Sequence, residues 1–176
     1  MNQQIAISGL GGQGVLFITR LLADTAMDLG LDVLSSETHG MAMRGGAVIS
    51  HLKVGSYTSP LIRAGQADVA LFLTAENLAV HPQLLGPRTR VLVNAPDQGP
   101  YECLDAGRVA ESEVGRRQSE NLVLLGFGLG LDCLFTTPEQ VRQTLKRLSG
   151  KPSVLAANEK ALAAGLQAAR EWKNRA

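Results

Sequence analysis

The chain has 176 residues, with 17 basic and 16 acidic side chains and a formal net charge of +1. That length suits a single domain, 1–176, large enough to bury a proper core. The near-neutral balance gives no electrostatic reason to expect nucleic acid or an anionic membrane as a partner. Apolar residues make up 45% and charged residues 19%, a globular balance that excludes a disordered chain. Two cysteines, Cys103 and Cys133, without a C-x-x-C spacing, supply no thiolate set for an iron–sulfur cluster or a structural zinc. They read as reduced thiols. The first residues lack the basic and apolar regions of a signal peptide, and no run reaches the roughly 18 apolar residues of a membrane span. The expectation is a cytoplasmic protein.

The predicted elements begin with a strand over Gln4–Ser8, stopped by glycine. Gly9-Leu10-Gly11-Gly12-Gln13-Gly14 follows, fitting G-x-G-x-x-G directly after a strand. From Val15 the period becomes helical: Ile18, Leu21, Leu22, Ala26 and Leu29 form an apolar stripe, with Arg20, Asp24 and Asp28 opposite. Gly30 stops the helix, and Leu31–Ser35 reads as a second buried strand parallel to the first. Gly46–Val54, Ala67–Leu73 and Arg90–Asn94 are further strands, with prolines punctuating the loops between them. The polar stretch Ala106–Glu120 reads as a surface cover. Asn121–Leu134 is apolar nearly all round and reads as buried, Pro138 opens another helix, and the stretch from Ser153 carries Leu155, Leu162, Leu166 and Ala169 on one stripe. The fold class is α/β: a three-layer Rossmann-like fold with a mostly parallel sheet and a helical C-terminal third.

A glycine loop feeding a helix is an anion site, because first-turn amides lack intrahelical partners and the helix dipole adds positive charge there. Gly9, Gly11, Gly12, Gln13 and Gly14 are therefore candidate ligand- or partner-binding residues. A second cluster leaves the next strand and holds His39, Gly40, Arg44, Gly45 and Gly46. With the two strands as neighbours in a parallel sheet, both loops open on the carboxyl edge, where ligands bind in open α/β sheets. Arg44 can offer its guanidinium fork to a phosphate, a carboxylate or a partner backbone, or else pair with an acid on its own surface. Glu37 ends the second strand, where a dinucleotide-binding domain places its ribose-holding acid. An NAD(P)-binding domain using Gly9, Gly11, Gly14 and Glu37 is thus one reading, and a ligand-free assembly module another. His39 faces the cleft or makes a loop hydrogen bond, His51 reads as a sheet residue and His81 as a surface turn. No metal site follows from their spacing.

The residues also carry a resemblance. Gly9-Leu10-Gly11-Gly12-Gln13-Gly14-Val15 resembles the opening of the gamma subunit or domain of 2-oxoacid:ferredoxin oxidoreductases. His39-Gly40-Met41-Ala42-Met43-Arg44-Gly45-Gly46, followed by Val48, Ser50 and His51, is similar to that family's Arg-Gly-Gly segment. Ser59-Pro60-Leu61-Ile62, Ala67-Asp68-Val69, Asn121-Leu122-Val123-Leu124-Leu125-Gly126, and Asn158 with Gly165 follow in the family's order. The His-Gly-Met and Ser-His pieces look more like the small subunit of indolepyruvate-type enzymes, although Met43 departs from the glutamine common there. The resemblance implies oxidative decarboxylation of a 2-oxo acid to an acyl-coenzyme A with reduction of ferredoxin. It also implies thiamine diphosphate, magnesium and iron–sulfur clusters. This chain has neither cluster ligands nor a Gly-Asp-Gly segment for thiamine diphosphate, so those cofactors are expected in a partner subunit. The expected role is to complete the active-site cleft and help position coenzyme A, with Met41 and Met43 on the partner-facing surface. No residue here reads as a catalytic acid, base or nucleophile, and the isolated chain is expected to be inactive.

Overall fold

The structure, a computed structural model, describes residues 1–39, 45–96 and 99–175. Six strands form one sheet: β1 (Gln3–Leu10), β2 (Val33–His39), β3 (Ala47–Val54), β4 (Val69–Phe72), β5 (Arg90–Asn94) and β6 (Glu102–Leu104). The helices are α1 (Val15–Asp28), the single turns α2 (Asn77–Val80) and α3 (Ala106–Val109), then α4 (Glu120–Gly130), α5 (Pro138–Leu148) and α6 (Pro152–Lys173). The sheet order is β2-β3-β1-β4-β5-β6. Parallel pairing links β1 to β4, β4 to β5 and β5 to β6, as the α/β reading expects.

One part of the expected topology is corrected. β1 and β2 are not neighbours, because β3 lies between them, antiparallel to both. The hydrophobic pattern explains the arrangement. From Val48 onward β3 is buried on both faces, as suits an interior strand covered by both layers. β2 ends in Ser35-Ser36-Glu37-Thr38-His39, polar on both faces, and takes the edge with Ser35, Glu37 and Thr38 exposed. The expectation of a buried second strand over Leu31–Ser35 is thus also corrected.

The two faces of the sheet carry unequal layers. Ile5, Ile7, Leu52, Leu71 and Leu92 pack against α1, α4, α5 and α6 in the larger core. Ala6, Ile49, Ala70, Phe72 and Val93 face a thinner cover that includes Ile62, Leu78 and Leu84. Gly30, at φ +72°, donates to the Met27 carbonyl at 2.9 Å and ends α1. Thr137 caps α5 reciprocally with Gln140, with Pro138 in the first turn. Arg147 on α5 reaches Asp28 of α1 at 2.9 and 3.0 Å, and that guanidinium holds the Asp28 carboxyl below the usual carboxylate range.

The stretch Ala106–Glu120 is more than a surface cover. Ala106 and Ala110 are fully buried, since α3 and the turns after it seal the end of the sheet beside β6. Cys103 and Cys133 are not disulfide-bonded. Burial pushes the Cys133 thiol up to about 11, and its Sγ donates to the Gly128 carbonyl at 3.0 Å, so it is an unreactive core group. Among the described residues, no helix is long and apolar enough to cross a membrane.

Candidate functional site

β1 delivers its chain to the carboxyl edge of the sheet, where Gln13 N–H donates to the Leu10 carbonyl at 3.0 Å and closes a tight turn. Gly12, at φ +100°, occupies the left-handed position of that turn. Gly14, at φ +82°, caps α1, and a Cβ there would lie 2.2 Å from Asn121 Nδ2, so only glycine fits. Ile18 N–H to the Gly14 carbonyl closes the first helical turn. That first turn holds no acidic residue and no side-chain cap of its own.

The two glycine clusters meet, although through a different strand order from the one expected. β1 and β2 both run antiparallel to β3, so their carboxyl ends reach the same edge. His39, Val48 and Gly9 stand in one row across the three strands. Gly11 N–H donates to the Gly46 carbonyl at 3.0 Å, and Gly45 N lies 3.5 Å from where a Gly11 Cβ would stand. Gly40, Met41, Met43 and Arg44 lie outside the described residues, as does the His39 side chain.

The Gln13 side chain is tied into the chain's own structure. Its Oε1 accepts from Leu10 N–H at 2.7 Å, and its Nε2 donates to the Leu73 carbonyl at 3.2 Å and to Glu120 Oε1 at 3.1 Å. Asn94 Nδ2 donates to the other Glu120 oxygen at 3.2 Å, while Asn94 Oδ1 accepts from Ala106 N–H at 2.8 Å. This network ties the ends of β1, β4 and β5 to α3 and α4. Gln13 is therefore a staple that shapes the loop.

Beside the staple is an open hollow of about 230 Å³ lined by Gly12, Gln13, Arg117, Gln118 and Glu120. Arg117 and Gln118 are missing from the residues singled out in the sequence. Their signal was available in the apolar helix starting at Asn121, whose N-terminal approach had to arrive at the sheet edge. Its lining sets one cation, Arg117, beside one carboxylate, Glu120, so it can receive a polar group next to the glycine loop.

Dinucleotide binding finds less support in this geometry. The intervening β3 moves Glu37 two strand spacings, roughly 10 Å, from β1, whereas the ribose-holding acid belongs on the adjacent strand. Glu37 instead pairs in register with Ser50. Iron–sulfur clusters do not fit the chain either, since two cysteines fall short of a ligand set. Among the described residues, no group of three or more His, Cys, Asp or Glu is placed to hold a metal ion.

The profile of the pyruvate ferredoxin/flavodoxin oxidoreductase family matches residues 4–168. The chain belongs to this family. Among its relatives, the indolepyruvate oxidoreductase subunit IorB of Archaeoglobus fulgidus is 40% identical over 94 residues, covering 53% of this chain and 47% of that subunit. The matched stretch thus spans about half of that relative's length. IorB of Pyrococcus horikoshii is 29% identical over 200 aligned residues, covering 97% of both chains. The gamma subunit of a keto/oxoacid ferredoxin oxidoreductase from Geobacter sulfurreducens has the same fold, with a TM-score of 0.76 at 25% identity over 96% of this chain and 99% of that one. The glycine loop, the Gly45–Gly46 approach and α4 all lie inside the stretch matched by the family.

Proposed function

We propose that this chain is the single-domain, cofactor-free subunit of a cytoplasmic 2-oxoacid:ferredoxin oxidoreductase that acts on an aryl pyruvate. In this reading a partner subunit carries thiamine diphosphate, magnesium and the iron–sulfur clusters. The complex decarboxylates the 2-oxo acid oxidatively, forms the acyl-coenzyme A and passes the electrons to ferredoxin. The hard chemistry belongs to those cofactors. This chain's part is to complete the cleft and help position coenzyme A with the carboxyl edge of its sheet. The observation that carries the reading is the junction of the two glycine clusters at Gly11 N–H and the Gly46 carbonyl, beside the uncapped start of α1. The similarity to two indolepyruvate oxidoreductase subunits supports the aryl substrate.

Reconstitution with the cofactor-bearing subunit tests this. Ferredoxin reduction is expected with indolepyruvate in preference to pyruvate or 2-oxoglutarate, and none from this chain alone. Arg44→Ala is expected to raise the KM for coenzyme A or to weaken assembly. Losing a hydrogen bond to a charged group costs about 1.5–3 kcal/mol, or roughly ten- to a hundredfold in affinity. Arg44→Lys should rescue only in part, because an ammonium lacks the planar fork. Turnover by the isolated chain would refute the reading, and unchanged kinetics and assembly in Arg44→Ala would remove Arg44 from the site.

A further inference from the structure

Lys53 is a cation on a central strand of the sheet. It stands on β3 on the thinly covered face, opposite Gln4 of β1, with 6% of its surface exposed. Its Nζ sits 5.1 Å from the centroid of the Tyr57 ring. Among the described residues, neither Lys53 nor Arg63 has a carboxylate within ion-pair distance. Asp68, the acid near Tyr57, accepts instead from the Gln4 backbone N–H at 2.7 Å. The stem is packed into the sheet while Nζ keeps contact with solvent, so the ammonium is open to an anion.

Lys53 and Arg63 line one hollow of about 260 Å³ together with Tyr57, Thr58 and Ser59. Two cations thus face one hollow, and burial, then the Arg63 charge, pushes the Lys53 amine below the ordinary lysine range. It opens near the amino end of β1, roughly 20 Å along the strand from the glycine loop. Its wall includes Ser59, from a segment singled out in the sequence that the proposed function leaves without a role. A phosphate carries a charge of about −1.5 to −2 at neutral pH and three acceptor oxygens. Such a group matches two cations and the lining hydroxyls, whereas one carboxylate leaves a cation unmatched.

We propose that this hollow binds a phosphate group, held between Lys53 and Arg63 with the hydroxyls of Thr58 and Ser59 as further donors. The site is independent of the family's reaction. Isothermal titration calorimetry of the full chain at low ionic strength tests it with inorganic phosphate, glycerol 3-phosphate and acetate. Phosphate is expected to bind at least tenfold more tightly than acetate. Binding of glycerol 3-phosphate as well would identify an organic phosphate as the natural source, and exclusion of it the free ion. Arg63 is exposed, so Arg63→Gln should fold normally and weaken binding about ten- to a hundredfold. Lys53→Met should abolish binding while circular dichroism stays unchanged. Three results would overturn the proposal: no binding heat, equal affinity for acetate, or binding that survives Arg63→Gln and is lost in Arg117→Gln at the opposite edge.

Discussion

His51 must stay neutral for its strand to pack. It is 8% exposed, and its Nδ1 accepts from Ile62 N–H at 3.3 Å, which only the form without a proton on Nδ1 can do. Burial first, then the nearby His81 and Lys53, lowers its pKa below the usual histidine value. His81 is lowered as well, by burial. The unfolded chain therefore takes up these protons first as pH falls. This contribution to stability is present above about pH 6.5, the ordinary histidine pKa, and is lost as the pH drops through the folded values. Thermal melts should show a falling Tm between pH 7.5 and 5.5. His51→Gln keeps an acceptor for Ile62 without titrating and should flatten that slope in part. An unchanged slope in the variant would show that His51 is not responsible. The sequence placed His51 in a strand correctly, but its bond to Ile62 comes from a loop that no periodicity describes.

At the scale of elements, α4 and α6 meet through glycine. A Cβ at Gly165 would stand 2.0 Å from the Val123 carbonyl oxygen and 2.7 Å from Phe127 N, and one at Gly126 would stand 2.3 Å from the Leu162 carbonyl oxygen. Backbones this close leave no room for a methyl group, and the Phe127 and Trp172 rings meet edge to face at 6.3 Å along the same contact. Gly165→Ala should destabilise the chain by about 1–3 kcal/mol or more through overpacking. A lower denaturant midpoint at constant m-value would show this, and an unchanged midpoint would mean that the helices part without cost. Both helices were legible: the all-round apolar run at Asn121 predicted burial, and Asn121 through Leu129 are buried. The α6 stripe likewise places Leu162 and Ala169 in the core. Strand order was less legible, because insertion of β3 between β1 and β2 depends on pairings between distant segments. β6 was missed for a simpler reason: three half-buried residues show no alternation to read.

At the scale of the whole molecule, five strands bring their carboxyl ends to one edge, where the glycine loop, the start of α1, Arg117 and the Gln13–Glu120–Asn94 network all lie. The glycine spacing made the loop itself legible. The staple was not, because Gln13 and Glu120 are 107 positions apart. If this edge seats against the cofactor-bearing subunit, hydrogen–deuterium exchange on the reconstituted complex will register it. Amides that precede the first closed helical turn have no intrahelical partner and should exchange fast in the free chain. On assembly, peptides spanning 9–17 and 45–49 should become protected, while 53–66 at the opposite edge keeps its rate. Protection confined to 53–66, with the glycine loop unchanged, would place the interface at the other edge instead.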